Sequence, residues 1–338
     1  MRSPPRQKGF ILVMTIWLLA AIAIAAAFFA GRVQKSLQLA QQRQSGADAQ
    51  VALSDARAEL LFRLATVPMT QQGMGIEPGL VVLDDRPYAL GEVLVQIQDA
   101  RGLINLNRVP DEQLRRFLLT LKVPVEQHDR LIDTLRDYMD ADDLLRLNGA
   151  EAPQYRELGL DPPSNAPLVS PVEVRRILAW RDLPQWAAGS EAYDWVTADE
   201  SLAVNPNSAP WQVLTSLPGV TEELAKAIVK RRQLGSIDAA LLEQALGVQM
   251  GGVPPLALPF PSNALRLTLR SKGVPWALRY NVKLTPRGAN APWQITNFYR
   301  LERNVNAELS SDAASAPVFP SKVMVSAAPS LLPAPGSP

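Results

Sequence analysis

The chain has 338 residues, of which 47% are hydrophobic and 20% charged, and its formal net charge at pH 7 is +1. This length allows two compact units, or one domain with a large insertion. A charge so close to zero gives no general electrostatic case for a nucleic acid or an anionic surface as partner. The sequence has no cysteine and one histidine, His128. These counts exclude thiol catalysis, disulfide frameworks and cysteine zinc sites, and they leave almost no material for a Ser-His triad.

The N-terminal segment contains one long apolar run. Residues 10–30 are apolar except for Thr15, and at about 1.5 Å of rise per residue they span roughly 30 Å, the thickness of a hydrocarbon core. A secretory signal peptide is the alternative, but its apolar part is typically roughly 7–15 residues long. Helix-forming residues also continue without proline to Val67. The sequence therefore predicts one long helix whose first half spans a membrane and whose second half is amphipathic.

Strand-like alternation flanks a helical block. Residues 80–84 and 92–98 are predicted strands before the block, and three further strand-like runs follow from Ala264 onward. Between them, residues 105 to about 246 show helical periodicity with short proline-containing turns. This order favours an α+β fold in which a helical domain is inserted into a small sheet.

Two segments of the helical block resemble each other. Asn105 and Asn107 precede a proline and a helix, and the same pattern follows Asn205 and Asn207, 100 residues later. Asparagine at such positions is expected to cap the helix that follows. An internal duplication is the preferred interpretation, and independent use of the same capping chemistry is the alternative.

The second segment continues into a possible nucleic-acid motif. Residues 217–221 resemble the hairpin of a helix-hairpin-helix module, which offers backbone N–H groups to a DNA phosphate. Such hairpins usually need two glycines for close approach; Gly219 is present, but Thr221 takes the second position. Three basic residues follow on the next helix: Lys230, Arg231 and Arg232. We favour a helical fold used for protein contact, with membrane-tethered DNA binding, as in competence systems, as the alternative.

The densest acidic group of the chain lies between residues 137 and 151. Five carboxylates there are candidate calcium ligands: Asp137, Asp140, Asp142, Asp143 and Glu151. Several carboxylates in a short stretch need a cation or strong solvation, and dense oxygen ligands favour Ca²⁺. Leu145 stands where an EF-hand loop needs glycine, so no EF-hand is predicted. A solvated acidic face is an open alternative, and a periplasmic metal-dependent hydrolase is a more distant one because no substrate pocket is indicated.

The residues at the start of the apolar run form a specific pattern. Lys8, Gly9 and Phe10 resemble the cleavage site of type IV prepilins and type II secretion pseudopilins. The resemblance implies that a prepilin peptidase cuts after Gly9 and methylates the new N-terminal Phe10. Most members carry glutamate at the fifth mature position, where this chain has Met14. In a filament interior that glutamate is thought to compensate a buried charge, so its absence favours a place at the tip.

Three further motifs occur in order along the chain. They are the run DARGLINLN from Asp99 to Asn107, the acidic stretch from Asp137 to Tyr155, and the segment from Asn205 to Gly219. With the leader, they resemble the pseudopilin K family of type II secretion, the large minor pseudopilins, over residues 8 to about 305. Tyr138 departs mildly from this pattern, because tryptophan is frequent there in the family.

The resemblance implies a pilin-like long helix packed on a small antiparallel sheet. A large duplicated helical domain, SAM-like or helix-hairpin-helix-like, is then inserted between the strands. The implied segments are a leader (1–9), a transmembrane helix (10–30), the pilin-like helix and first strands (31–104), the inserted domain (105–250) and the closing strands (263–305). The tail, residues 307–338, is rich in Ala, Ser and Pro and is predicted to be disordered.

The resemblance also implies a non-enzymatic role in protein export. The chain would start or cap the pseudopilus from the bacterial inner membrane, as a single-pass protein with its body in the periplasm. Expected partners are the minor pseudopilins I and J, other pseudopilins and the prepilin peptidase; secreted cargo and the outer-membrane channel are further candidates, and no nucleic acid is expected. Some relatives bind calcium, so a structural calcium ion is the expected cofactor.

Overall fold

The structure is a computed structural model that describes residues 10–199, 203–246, 257–272, 274–302 and 315–320. The chain forms two compact units, Met1–Val51 and Ala52–Pro338. The predicted leader, including Gly9, lies outside the described residues, as does most of the predicted tail.

The helices and strands occur in separate runs along the chain, as is typical of an α+β protein. The helices are α1 (Phe10–Thr66), α2 (Asp111–Thr120), α3 (His128–Met139), α4 (Ala152–Glu157), α5 (Trp211–Leu214), α6 (Glu222–Arg231) and α7 (Ala239–Leu246). The strands are β1 (Asp84–Leu90), β2 (Val93–Asp99), β3 (Ile104–Asn105), β4 (Val196–Thr197), β5 (Ala264–Ser271), β6 (Trp276–Leu284) and β7 (Trp293–Glu302). Short 3₁₀ helices fill several of the connections.

Helix α1 has two chemically different parts. From Leu12 to Leu39 its large apolar side chains are exposed, and the helix is long and apolar enough by length and composition to cross a membrane. In the second unit, buried apolar side chains recur at helical spacing, including Leu53, Leu60 and Leu64. The predicted single long helix, with an apolar first half and an amphipathic second half, is confirmed.

The sheet is interrupted in sequence by the helical block. Among the described residues it is a five-stranded antiparallel sheet in the order β1-β2-β5-β6-β7. Strands β2 and β5 are hydrogen-bonded neighbours, with Val93 opposite Ser271 and Asp99 opposite Leu265. The helical residues therefore leave the sheet after Asp99 and return to it at Ala264, which makes the helical block an insertion between adjacent strands.

The prediction of a first strand at residues 80–84 is wrong. Residues 80–84 contribute a single antiparallel bridge between Val81 and Met74, and the first strand of the sheet begins at Asp84. Sequence analysis missed this strand because it contains Pro87 and opens on two aspartates. Strand β1 lies at the edge of the sheet, where a missing N–H is tolerated. Asp85 adopts a φ of 66°, and the register shifts between Asp84 and Pro87.

Asp99 ties the start of the insertion to its end. Its Oδ2 accepts hydrogen bonds from Asn205 Nδ2 (2.8 Å) and Ser208 Oγ (3.0 Å), and its Oδ1 accepts from the backbone N–H of Ser262 (2.8 Å). Gly102 lies beside this junction, where a Cβ would fall 2.9 Å from the backbone of Ser208. The DARGLINLN run is thus a junction whose aspartate and glycine are both required by close packing.

Two buried arginines connect the sheet to the insertion. Arg266 on β5 and Arg279 on β6 are 2% and 1% exposed. Both donate to the carbonyl of Tyr193, at 3.2 Å and 3.0 Å, and Arg279 also pairs with Asp194 at 2.6 Å. Because Tyr193 and Asp194 belong to the insertion, these arginines fix it on one face of the sheet.

The prediction that the whole tail is disordered is wrong for residues 315–320. Val318 pairs in parallel with Ala89 of β1, and Phe319 is 2% exposed. The composition of the tail suggested disorder because few of its residues are large and apolar, but Phe319 supplies enough apolar surface to hold this short segment on the sheet.

Candidate functional site

The acidic loop, residues 140–150, begins where α3 ends. Asp137 is fully buried on the last turn of α3, and its Oδ2 accepts a hydrogen bond from the backbone N–H of Arg146 at 3.2 Å. The Arg146 guanidinium lies 3.3 Å from Asp137 Oδ1 and 3.8 Å from Asp140 Oδ2. Gly149 approaches Asp137 so closely that a Cβ would lie 1.8 Å from Oδ2. Asp137 therefore organises the loop around itself, and glycine is required at position 149.

Glu151 closes the loop at the start of α4. It is 2% exposed, and neither of its carboxylate oxygens has a hydrogen-bond partner. Burial, and then the negative charges of Asp137 and Asp140, raise the pKa of Glu151 to about 7. Burial likewise raises the pKa of Asp137 and of Asp140. The site therefore disfavours the ionised form of all three carboxyl groups.

The structure separates the five predicted ligands into two groups. Asp137 and Glu151 are buried, and Asp140 is half-buried. Asp142 and Asp143 are exposed at the rim. There, Asp142 Oδ1 accepts from the Leu144 N–H at 2.9 Å, and Asp143 Oδ1 accepts from Asn165 Nδ2 at 3.2 Å.

The donor set fits calcium in its chemistry but is not arranged as a metal site. Within the described ranges, no group of three or more His, Cys, Asp or Glu side chains is placed to hold a metal ion. Yet Asp140 Oδ1 and both oxygens of Glu151 are buried without hydrogen bonds. Carboxylate oxygens buried in this way need either a proton or a cation to offset their desolvation. Calcium binding would therefore require these side chains to move together.

Asp133 also holds the loop, although sequence analysis did not identify it. Its Oδ2 accepts hydrogen bonds from both the backbone N–H and the side-chain Nδ2 of Asn148, each at 3.0 Å. Asp133 precedes Asp137 by one helical turn on α3, so both carboxylates lie on the same face of the helix. The four-residue spacing of Asp133 and Asp137 was the feature of the sequence that could have identified Asp133.

The hairpin at Gly219 has a structural explanation for each of its residues. Gly219 adopts a φ of 76°, which favours glycine. Thr221 caps α6, its Oγ1 accepting from the Leu224 N–H at 3.3 Å. Of the three basic residues, Lys230 and Arg231 are exposed, whereas Arg232 is largely buried and pairs with Asp84 at 3.2 Å. Arg232 therefore cannot reach a phosphate without breaking that pair.

The paired asparagines do not cap helices as predicted. The residues at the caps of α2 and α5 are Pro110 and Pro210. Instead, Asn105 and Asn205 each stabilise a tight turn, in which the side-chain oxygen accepts from the N–H two residues on, at 3.0 Å in both cases. The prediction failed because an asparagine side chain stabilises such turns as readily as it caps a helix.

The second asparagine of each pair bridges to a distant segment in the same way. Asn107 bonds both the N–H (2.8 Å) and the C=O (2.9 Å) of Leu168. Asn207 bonds both the N–H (2.7 Å) and the C=O (2.9 Å) of Ile237. The two segments thus share their turn geometry and their long-range hydrogen bonds.

Comparison with known proteins finds a family match for part of the chain. Residues 94–185 match the family model for type II secretion system (T2SS) protein K. A chain in the crystal structure of the GspK-GspI-GspJ complex from the enterotoxigenic Escherichia coli type 2 secretion system is similar at 16% identity. The match covers 80% of this chain and 99% of that chain, with a TM-score of 0.49. A likeness at that level supports no conclusion about function. No curated protein matches the sequence.

The matched segment includes β2, the Asp99 junction, the first asparagine pair and the whole acidic loop. Two of the motifs that carry the sequence resemblance lie within it, the DARGLINLN run and the acidic stretch, whereas the leader and the segment from Asn205 to Gly219 lie outside. The resemblance to the minor pseudopilin K family is therefore confirmed for residues 94–185, the segment that matches the model for type II secretion system (T2SS), protein K.

Proposed function

We propose that this chain is a non-enzymatic minor pseudopilin that starts or caps the pseudopilus of a type II secretion system. The observation that carries the proposal is the protein K match of residues 94–185, a segment that begins in the sheet and continues into the insertion. A long apolar helix at the N-terminus supports the same role by fitting a single-pass membrane anchor.

The tip position is supported by the chemistry of the helix and the size of the insertion. Residues 10–30 carry no acidic side chain, and Met14 stands where the family resemblance expects glutamate. A subunit without that carboxylate suits a position with no subunit above it, because no terminal amine needs to be neutralised there. The insertion between β2 and β5, residues 100–263, is larger than the sheet that carries it. Another subunit would have difficulty covering it.

Minor pseudopilins I and J are the partners that this proposal assigns. The assignment follows from the protein K match of residues 94–185 together with the family resemblance, which implies these two neighbours. Affinity purification of the chain from membranes should recover both minor pseudopilins at comparable amounts. Recovery of the major pseudopilin without I or J would contradict the tip position and favour a place along the filament.

An internal duplication accounts for the two asparagine pairs. Turn and bridge hydrogen bonds agree between the copies to about 0.1 Å, and Pro110 and Pro210 begin the following helices alike. Independent capping would not reproduce the bridge to a distant backbone. We therefore assign both segments to one ancestral helical unit.

The acidic loop has a structural role in this proposal. Asp137, Asp140 and Glu151 would hold a calcium ion, with Asp142 and Asp143 at the rim. The ion would supply positive charge where two buried carboxyl groups and the half-buried Asp140 disfavour one another's ionisation. Its binding would stiffen the loop that joins α3 to α4.

The test of the pathway is mass spectrometry of the N-terminal peptide from membrane-fractionated protein, in cells with and without prepilin peptidase. We expect a peptide beginning at methylated Phe10 that is absent without the peptidase. Gly9→Val should abolish it. Gly31→Val is the matched control, since no other residue approaches a Cβ at position 31 within 4 Å. A terminus near Ala27, or an intact Met1 in cells with the peptidase, would overturn the proposal.

A further inference from the structure

One edge of the sheet is covered by the chain's own tail. Strand β1 is the outermost strand on its side of the sheet. The backbone N–H of Ala89 donates to the carbonyl of Pro317 at 2.9 Å, and the N–H of Phe319 donates to the carbonyl of Ala89 at 2.8 Å. Val318 thus takes the place of a strand residue parallel to Ala89.

Phe319 occupies a cleft built for an aromatic ring. Its ring meets Tyr88 edge-on at 5.8 Å between centroids, and the Arg63 guanidinium lies 5.1 Å from its centroid. The same guanidinium donates to the carbonyl of Pro320. Tyr88 is held in place because its hydroxyl accepts from the N–H of Val82 at 2.9 Å. The cleft therefore recognises both the ring and the carbonyl that follows it.

The bound segment is anchored by two side chains. Phe319 is 2% exposed, and Ala316 packs against Leu94, whereas Val318 between them is 80% exposed. The two anchors are three residues apart, so the segment is held at two points and does not show the period-two burial of a regular strand. Affinity in such an arrangement comes from the main chain, and specificity comes from the side chains that enter pockets.

Prolines on both sides of Val318 and Phe319 suit this mode of binding. Pro317 contributes only its carbonyl to the pairing, and so does Pro320, so neither missing N–H costs a hydrogen bond. A residue that precedes proline is biased towards extended conformation, which favours Ala316 and Phe319 in the geometry observed. The segment is thus partly ordered before it binds, which lowers the entropy cost of docking.

We propose that the β1 edge is a binding groove for an extended peptide in which an aromatic residue is followed by proline, and that residues 316–320 are its intramolecular ligand. The groove comprises the Ala89 backbone, Tyr88 and Arg63. Residues 303–314 connect the tail segment to β7, at the opposite edge of the sheet. Four interstrand spacings amount to roughly 19 Å, and twelve residues can reach about 40 Å, so the connection is long enough.

The tail controls access to this edge. A free edge strand presents unpaired N–H and C=O groups to which other chains can add. A tethered ligand is present at an effective concentration in the millimolar range, so it keeps out weak competitors. A partner strand of the same chemistry can pair with β1 only by displacing the tail.

The experiment measures binding of a fluorescent peptide with the sequence of residues 315–320 to the full chain in detergent. Phe319→Ala empties the cleft, and we expect this variant to bind the peptide at least tenfold more tightly than wild type. Val318→Ala is the matched control, since its side chain points to solvent, and it should behave as wild type. A peptide with alanine in place of the phenylalanine should not bind. Equal binding by wild type and Phe319→Ala, or equal binding of the two peptides, overturns the proposal.

Hydrogen exchange distinguishes release of the tail from general loosening of the fold. In Phe319→Ala, the amide of Ala89 should exchange at least tenfold faster, because its acceptor is the carbonyl of Pro317. Amides in β2 and β5, away from the edge, should keep their wild-type rates. Unchanged exchange at Ala89 would mean that the tail segment stays in place without its ring, and the groove would then not select for an aromatic residue.

Discussion

Glu151 links the acidic loop to the stability of the protein. Its pKa of about 7 in the folded state, against an ordinary value of 4.5, means that the folded protein holds this proton over a pH range in which the unfolded chain has lost it. The unfolding free energy should therefore fall as pH rises from 4.5 to about 7. The raised pKa values of Asp137 and Asp140 act in the same direction.

Replacing Glu151 by glutamine should remove much of this pH dependence. Glu151→Gln resembles the protonated acid at every pH, so in calcium-free buffer at pH 8 we expect its Tm to exceed that of wild type by about 5 °C. At pH 4.5 the two should melt alike. Thermal melts across this range give the comparison, with exposed Glu157→Gln as the control. If the variant melts below wild type at pH 8, the ionised Glu151 is not destabilised by the carboxylates beside it.

With calcium bound, the ionised Glu151 should stabilise the folded protein instead of destabilising it. At pH 8, millimolar Ca²⁺ should raise the Tm of the wild type by several degrees, since an ion that binds only the folded state stabilises it. EDTA should remove the gain. Asp137→Asn and Glu151→Gln should show little or no gain, while Asp182→Asn, which alters a 79% exposed carboxylate, should respond as wild type does. An equal response in all four proteins would place the ion elsewhere.

The individual roles in this loop were only partly predictable. Five carboxylates within a short stretch indicated a site, but spacing along the chain could not show that Asp142 and Asp143 bond the loop backbone or Asn165 at the rim. Nor could it show that Gly149 is required by contact with Asp137. Both facts depend on how the loop folds back on α3, a tertiary feature that local pattern does not encode.

Among the secondary-structure elements, those with clear periodicity were predictable. The sequences of β2 and β5–β7 show the alternation of apolar and polar residues that is typical of strands, and α1 is a continuous run of helix formers. Strand β1 was missed because its partner β2, rather than its own composition, determines its conformation. The described tail segment, 315–320, was missed for the same reason, since its conformation depends on the β1 edge.

Arg279 on strand β6 is the residue on which the attachment of the insertion to the sheet most depends. Arg279 donates to Thr268 Oγ1 at 3.1 Å and to Tyr193 at 3.0 Å, besides its pair with Asp194. Arg279→Met would remove the ion-pair partner of a carboxylate at this buried junction, a change that typically costs about 3–5 kcal/mol. Denaturant unfolding should show a loss of this size. Arg300→Met on β7, where the side chain is exposed, should cost less than about 1 kcal/mol; equal losses would contradict the role of Arg279.

At the level of the whole chain, the insertion could be inferred from element order alone. Strand patterns on both sides of one helical block leave few topologies, and pairing of β2 with β5 is the simplest of them. What fixes the insertion on the sheet could not be inferred. Arginines are seldom fully buried, so nothing in the sequence distinguished Arg266 and Arg279 from surface residues.

The proposed orientation in the membrane can be tested with single cysteines, because the natural chain has none. Leu147, on the acidic loop, is 95% exposed, so Leu147→Cys should react fully with a membrane-impermeant maleimide in spheroplasts if the body is periplasmic. Ser3→Cys precedes the apolar helix and should react only after the membrane is permeabilised. Cells without prepilin peptidase keep both positions on one chain.

The two cysteines must give opposite results, because a single helix of this length separates them. If Ser3→Cys reacts in intact spheroplasts and Leu147→Cys does not, the helix is inserted the other way round, and the acidic loop faces the cytoplasm. A tip subunit of a periplasmic filament could not have that orientation. If both react, the apolar helix does not span the membrane, and a contribution to filament assembly through that helix is excluded.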